Sequence, residues 1–371
     1  MTRALVVGAG ISGLATSIAL RQRGIEVELV ERGHGLQVLG SGITLVSAAI
    51  RALEKLDVLT ECLANGFGVR QFTECNVNGD EIRTVDLPSA VGEGGPGILG
   101  MMRPTLHHIL YDKAMSLGVE YFAGVRPKSL TNKSEHVQTT LSDGRVTEHD
   151  LVIGCDGIHS SVREMVFGDY PLEFRNQGCF RAVVRRPDVV DKEMDFAGHP
   201  GVHPGFTPIS NSQMYIYCNA ASENTSLLPQ DEIPTIMREI LAPFGGLMAE
   251  AREEIRDPRL VNYRPYETLL VPQPWNRGRI LLLGDSAHST TPHLAAGAAM
   301  CLEDAVVLGE ELSRASIPEA LETFSARRFD RVRFVVETSV RLSKWQLNPH
   351  EPGFNPGSVK DEARRVLAGA Y

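Results

Sequence analysis

The sequence predicts an α/β fold in which a Rossmann-like dinucleotide-binding domain is interleaved with an antiparallel-sheet domain. Arg3 to Glu31 reads as strand, glycine turn, helix, strand and acid in register. Residues 173 to 270 shift to short alternating strands rich in turn residues. Arg279 to Leu283 then returns to a buried strand of parallel type. At 371 residues the chain exceeds what one core ordinarily supports, so two domains are expected.

The first stretch carries the most chemistry. Leu5-Val6-Val7 is a short apolar run, read as a buried strand, and it stops at Gly8-Ala9-Gly10-Ile11-Ser12-Gly13, the G-x-G-x-x-G spacing. Leu14 to Gln22 reads as a helix ended by Gly24, and Ile25 to Val30 as a second strand with Glu31 at its tip. Gly8 allows a tight turn, Gly10 lets backbone approach a pyrophosphate, and Gly13 lets the helix pack on the strand. The helix N-terminus offers free N–H groups to phosphates, and Glu31 can accept from ribose hydroxyls. The pattern says dinucleotide without saying which. Gly92 to Gly97 also fits the bare spacing, but it holds Pro96 and opens no long helix, so it reads as a loop.

Gly40-Ser41-Gly42 begins an extended piece that either lies against a flat cofactor or is a plain loop; Ser47 reads as the N-cap of a helix over 48–56. Residues 67 to 100 read as two strands about the turn Asn78-Gly79-Asp80, followed by a Pro/Gly-rich excursion. Arg103 heads a helix, His107 to Leu117, with Pro104 near its first turn. A strand at 119–122, a hairpin at 137–149 and a buried strand Leu151 to Gly154 follow. The last runs into Cys155-Asp156-Gly157-Ile158-His159-Ser160, either an N-capped turn or an aspartate turned toward a nucleotide.

In the second region, 178–184, 203–209 and 213–218 read as strands and 233–241 as an amphipathic helix. Arg181, His203, Tyr215 and Tyr217 are candidate pocket residues there, against the alternative that sheet aromatics form core. The strand at 279–283 ends in Gly284-Asp285, and a loop of small residues opens a long helix near Gly297, mirroring the first stretch. Ile317 to Gln346 reads as helix, and the proline-bearing tail from Asn348 ends in a short helix that either covers something or frays.

Apolar content of 43%, charged content of 22% and a net charge of −9 fit a globular protein and argue against nucleic acid as a partner. Six scattered cysteines without a C-x-x-C pair fit reduced thiols in a cytoplasmic protein and suggest no metal site. The apolar runs are too short to span a bilayer, so no membrane association is expected. Neither a G-x-S-x-G elbow nor an H-E-x-x-H motif occurs.

Together, the stretches Gly8–Glu31, Cys155–Arg163 and Gly284–Ala305 resemble the single-component FAD-dependent aromatic hydroxylases, in order and spacing, up to about Leu347. The resemblance implies FAD as cofactor, NADH or NADPH as transient reductant, and molecular oxygen added to a small aromatic substrate through a flavin hydroperoxide. Gly8, Gly10, Ser12 and Gly13 would hold the pyrophosphate, Glu31 and Arg32 the adenosine ribose, and Val125 the adenine. Arg103 would reach the ribityl–phosphate stretch, Asp156 would serve both nucleotides, and Asp285 would bond the ribityl chain. Gly297, Ala298 and Ala299 would offer backbone N–H groups to the flavin ring. His203 and Tyr215 would be catalytic, with Arg181 and Tyr217 binding substrate and Tyr217 standing in for Tyr215 should the register slip by a pleat. His288, after the Gly-Asp pair, has a structural role as its alternative. Ala295-Ala296 depart from the family pattern, which has Gln at the middle position, so a contact made by that Gln is absent.

The implied FAD-binding domain takes 1–70, 100–172 and 272–347, the substrate domain 71–99 and 173–271, and the tail 348–371, in a monomer or homodimer. A competing reading is an FAD-dependent oxidase, reductase or epoxidase acting on a larger apolar substrate; a non-enzymatic flavin partner or a plain NAD-binding module is the third.

Overall fold

The computed structural model describes residues 2–35 and 40–371; Met1 and 36–39, inside the expected 1–70 segment, lie outside the described residues. The strand at the N-terminus, Arg3–Val7, is flanked by Glu26–Glu31 and Leu151–Gly154, with Ile280–Leu282 beyond, all parallel. Glu120–Ala123 and Asn276–Arg277 complete a six-stranded sheet. Its strands are apolar runs because both faces are covered. Leu5, Val6, Val152 and Leu281 are fully buried, in one core with residues of helices Ile11–Arg21 and Gly297–Leu312. Three strands that are far apart in sequence thus end side by side at one edge, where such sheets bind ligands.

The second sheet has eight strands, in the order His288–Ser289, Val261–Leu270, Glu173–Arg185, Gln213–Ala221, Val202–Pro208, Glu193–Phe196, Gln71–Cys75 and Glu81–Asp86. All its pairings are antiparallel except Glu193–Phe196 with Gln71–Cys75. His288–Ser289 follows the Gly284-Asp285 turn directly, so the two sheets interlock there. One face of this sheet, with Phe180, Phe206, Ile216 and Cys218, packs on Met237, Phe244 and Met248 from the helices beneath. The opposite face looks back toward the parallel strand ends.

Several elements differ from expectation. The glycine-loop helix begins at Ile11, not Leu14, because the turn itself supplies its first residues. Ser47 is the first residue of its helix; Val46 is the cap and makes no side-chain cap bond. The helix expected from His107 begins at Arg103, with Pro104 in the first turn, where its missing N–H costs nothing. Strands Ile98–Met102, Pro127–Asn132 and Glu193–Phe196 escaped the sequence reading. The last holds two acids in four residues, yet all four are buried. Helix Ile317–Leu347 opens with a Ser316–Glu319 capping box. The tail ends in helix Pro356–Ala368, which docks rather than frays: Arg51 donates to Leu367 O at 2.6 Å and Arg331 to Val366 O at 2.7 Å.

Candidate active site

The three motif loops touch one another. Gly8 has φ 101°, and a Cβ there would lie 2.6 Å from Cys155 O. A Cβ on Gly13 would overlap the Gly8 carbonyl, so glycine at both positions lets helix, turn and second motif pack. Arg163 ties the second motif to the third, donating to Ile158 O at 2.7 Å and Ser286 O at 3.0 Å. Asp304, from the helix after the third loop, accepts the Gly284 N–H at 3.2 Å and His288 Nε2 at 2.7 Å, which gives His288 a structural role. His107 Nε2–H donates to Ala9 O at 2.6 Å and braces the glycine turn from behind. Burial pushes His107 down, so it acts as a neutral prop.

A cavity of about 1360 Å³ opens between these loops and the second sheet. Gly10, Ser12, Arg103, Asp285, Gly297 and Ala298 line it on the loop side. The donors there fit a flavin dinucleotide. A Cβ on Gly10 would meet nothing within 4 Å, which leaves its backbone open to a close phosphate. Ser12 Oγ is buried without a hydrogen-bond partner among the described residues. Arg103 is exposed and lines the cavity. Helix Gly297–Leu312 starts with no side-chain cap and no acid in its first turn, so its free N–H groups remain for an electron-rich ring.

Other expected cofactor residues are placed differently. Gly8, Gly13 and Ala299 stand behind the lining, where they shape it through packing. Glu31 ties the glycine turn to its own loop, accepting from Ala9 N at 2.8 Å and Gly33 N at 2.8 Å. Val125 sits beside it, donating its N–H to Glu31 O at 2.9 Å. Arg32 is exposed. The Asp156 carboxylate caps the helix Ser161–Phe167, accepting from Ser161 N at 2.7 Å, Val162 N at 3.1 Å and Ser160 Oγ. The neighbours Gly157, Ile158 and His159, rather than Asp156 itself, line the cavity. Ser41 and the strand residues Gly42, Ile43 and Thr44 after it also line it, and a Cβ on Gly42 would run into the Tyr215 ring.

Register explains the far wall. Tyr217 pairs with Arg181 on one side and Gly205 on the other, and Asn219 pairs with His203. Residues two apart in a strand share a face. Arg181, His203, Tyr215 and Tyr217 therefore all face the cavity, and all four line it. Tyr217 is not an alternative to Tyr215: the same pleat brings in both, with ring centroids 5.8 Å apart. Arg181 Nε donates to Tyr215 OH at 3.1 Å. His203 Nε2 lies 3.0 Å from Asp195 Oδ2, and Tyr217 OH donates to Asp195 Oδ1.

Burial pushes Tyr215 up to about 12, against the pull of Arg181 and Arg103. Burial and the charges of Asp195 and Glu193 push Tyr217 well above its ordinary value. Both phenols keep their protons at neutral pH, so neither rests as a phenolate base.

Four groups at this wall escaped the sequence reading: Glu193, Asp195, His293 and Lys360, all in the lining. Burial drives His293 down to about 3, and it is held neutral between Thr291 Oγ1 at 3.0 Å and Gln346 Oε1 at 2.9 Å. Glu193 and Asp195 carried a period-two signal; Lys360, in the tail, carried none.

The FAD binding domain family, FAD_binding_3, matches residues 1–339. The chain is 33% identical over 350 residues to 2-heptyl-3-hydroxy-4(1H)-quinolone synthase of Pseudomonas aeruginosa, covering 92% of this chain and 90% of that one. It is 29% identical over 382 residues to 3-hydroxybenzoate 6-hydroxylase of Klebsiella oxytoca, covering 98% and 92%. The fold matches Klebsiella pneumoniae HpxO complexed with FAD and uric acid, with TM-score 0.85 and 22% identity over 99% of this chain and 92% of that one. Among the described residues, no helix is long and apolar enough to cross a membrane. With three motif loops converging on a flavin-shaped donor set and a match over most of its length, the chain belongs to the FAD binding domain family and is a flavoprotein monooxygenase of the aromatic hydroxylase type.

Proposed function

We propose that the protein hydroxylates a small aromatic or N-heteroaromatic ring, with FAD bound at the loop side of the cavity and the ring held against the sheet. The observation that carries this reading is the shared lining: one continuous cavity is walled by Gly10, Asp285 and Gly297 on one side and by Arg181, His203 and Tyr215 on the other. Gly10, Ser12, Arg103, Asp285 and the helix start at Gly297 would hold FAD, which would supply the oxygen-transfer chemistry with NADH or NADPH as reductant. The chain's own residues do the rest. Arg181, which has only donors, faces a ring oxygen or carboxylate. His203 stands where it can take a proton from a ring hydroxyl or N–H and so enrich the ring in electrons. The tail helix closes the far side and keeps water out.

A second substrate reading has one observation in its favour. Leu294, Leu342, Trp345 and Phe354 give the cavity an apolar flank, suited to a ring that carries an apolar substituent. The relative from Pseudomonas has a heptyl-bearing quinolone in its name.

The test is product mass spectrometry under labelled oxygen, with NADH or NADPH and a panel of hydroxybenzoates, hydroxypyridines and alkylated quinolones. Incorporation of one labelled atom is expected for the preferred ring. Peroxide as the sole product across the panel would refute the hydroxylase reading.

A further inference from the structure

Asp195 takes three donors at once at the cavity wall. Gly205 lies directly between Asp195 and Tyr217 in the sheet, paired with Asp195 on one side and with Tyr217 on the other. A Cβ at Gly205 would collide with the Tyr217 hydroxyl and stand 2.7 Å from Asp195 Oδ1. The glycine is therefore the gap through which Tyr217 donates to Oδ1. Oδ2 accepts from His203 Nε2 at 3.0 Å and from Lys360 Nζ at 3.1 Å. Lys360 comes from the tail helix, 165 residues further along the chain. Asp195 is only 5% exposed, while its three donors all line the cavity.

The direction of each bond follows from the carboxylate. Burial raises the Asp195 carboxyl, but Lys360, His203 and the bonds from His203 and Tyr217 more than offset it and hold it well below the usual carboxylate range. An ionised carboxylate only accepts. The proton of the His203–Asp195 bond therefore sits on Nε2, which leaves Nδ1 with its lone pair. Tyr217 spends its proton on Asp195, so only its oxygen lone pairs remain for a ligand. His203 and Tyr217 thus both present acceptors, while Arg181 across the same face presents donors.

We propose that Asp195 is a positioning residue: it holds His203 as the Nε2–H tautomer and Tyr217 as an acceptor, so that the cavity selects a ring bringing a hydroxyl or N–H proton to His203 Nδ1. The proposal rests on the reading that this sheet face holds the substrate ring. In the step, the substrate O–H or N–H bond breaks, its electron pair stays on the ring, and a new N–H bond forms at Nδ1. The resulting imidazolium faces the charge of Asp195, and its extra proton passes to solvent after the product leaves.

The test is NMR of flavin-loaded protein labelled with 15N and 13C in its histidines, with the His203 signals among the 11 histidines assigned by His203→Gln. In the wild-type protein His203 is expected as the Nε2–H tautomer near neutral pH. Asp195→Asn is expected to mix the tautomers and to slow ring hydroxylation about 10²-fold, with flavin content unchanged. Tyr217→Phe is expected to leave the tautomer as it is. An Nδ1–H tautomer in the wild-type protein, or one that does not respond to Asp195→Asn, would overturn the proposal; if Asp195→Asn fails to fold, the wild-type spectrum alone decides. If the tautomer is as stated but no ring in the panel is hydroxylated, the positioning stands and the hydroxylase reading falls.

Discussion

Arg328 Nε donates to Asp304 Oδ1 at 2.7 Å with both side chains fully buried. Asp304 in turn holds the Gly284 N–H and His288, so an arginine on the long helix braces the turn that presents Asp285. Arg328 also pairs with Glu303 at 2.8 Å, and Arg331 shares that glutamate at 2.7 Å. Replacing Arg328 by Met would strand buried carboxylates, a loss of about 3–5 kcal/mol. Urea unfolding measures it, and a change under about 1 kcal/mol would show that the brace is dispensable.

The same network sets an acid limit. Burial raises the Asp304 carboxyl, but His288 and Arg328 more than offset this and hold it below its ordinary value. A depressed folded-state value gives stability that is present above the unfolded value and lost as pH falls through the folded one. Thermal midpoints should therefore fall on acidification below the ordinary carboxylate range, and Asp304→Asn should flatten that fall.

Glu193 has the opposite sign. Burial, then the charge of Asp195, pushes it from 4.5 to about 8. Folding takes up a proton between those values, so stability declines as pH rises from 4.5 to about 8 and levels off above. Glu193→Gln should remove that decline, with a gain of roughly 3 kcal/mol at pH 7 at about 1.4 kcal/mol per unit. Melting curves at pH 5 and pH 8 check it: an advantage no larger at pH 8 would refute the buried neutral acid.

Asp285 lines the cavity, and its carboxylate has one weak donor among the described residues, Cys301 Sγ at 4.0 Å. With its acceptors free for a ribityl hydroxyl, Asp285→Ala should weaken FAD binding about 10- to 100-fold. Flavin absorbance of the purified variant measures occupancy; full retention would refute the assignment.

Lys360 is one polar tie of the tail to the sheet, with the longer Arg83–Asp361 pair at 3.9 Å, alongside the bonds from Arg51 and Arg331 to the end of the tail helix. Lys360→Met should loosen that helix by about 1–2 kcal/mol. Amide exchange over 356–368 should then quicken roughly tenfold while the parallel sheet stays protected. Unchanged exchange would mean that the apolar docking alone holds the helix.

Much of this arrangement could be read from the chain. The glycine turn at Gly8, the Leu151 strand and the Gly284-Asp285 turn each carry a local pattern of apolar strand, small-residue loop and helix start. Their meeting follows from strand order, which the family resemblance implied. The sequence offers Tyr217 as a stand-in for Tyr215, whereas the observed register puts both on the cavity face, since residues two apart in a strand share a side. At Asp156 the sequence leaves an N-capped turn and a nucleotide-facing aspartate open, and the structure shows the carboxylate capping the helix at Ser161 and Val162.

The sequence by itself determined the nucleotide-binding half, the family and most of the strands, because each depends on residues close together in the chain. The tertiary structure alone decided the chemistry of the far wall. Asp195, His203, Tyr217 and Lys360 come from three strands and a tail helix, and only packing brings them within hydrogen-bond reach. No local pattern records such a meeting, because its geometry depends on where separate elements stop against one another.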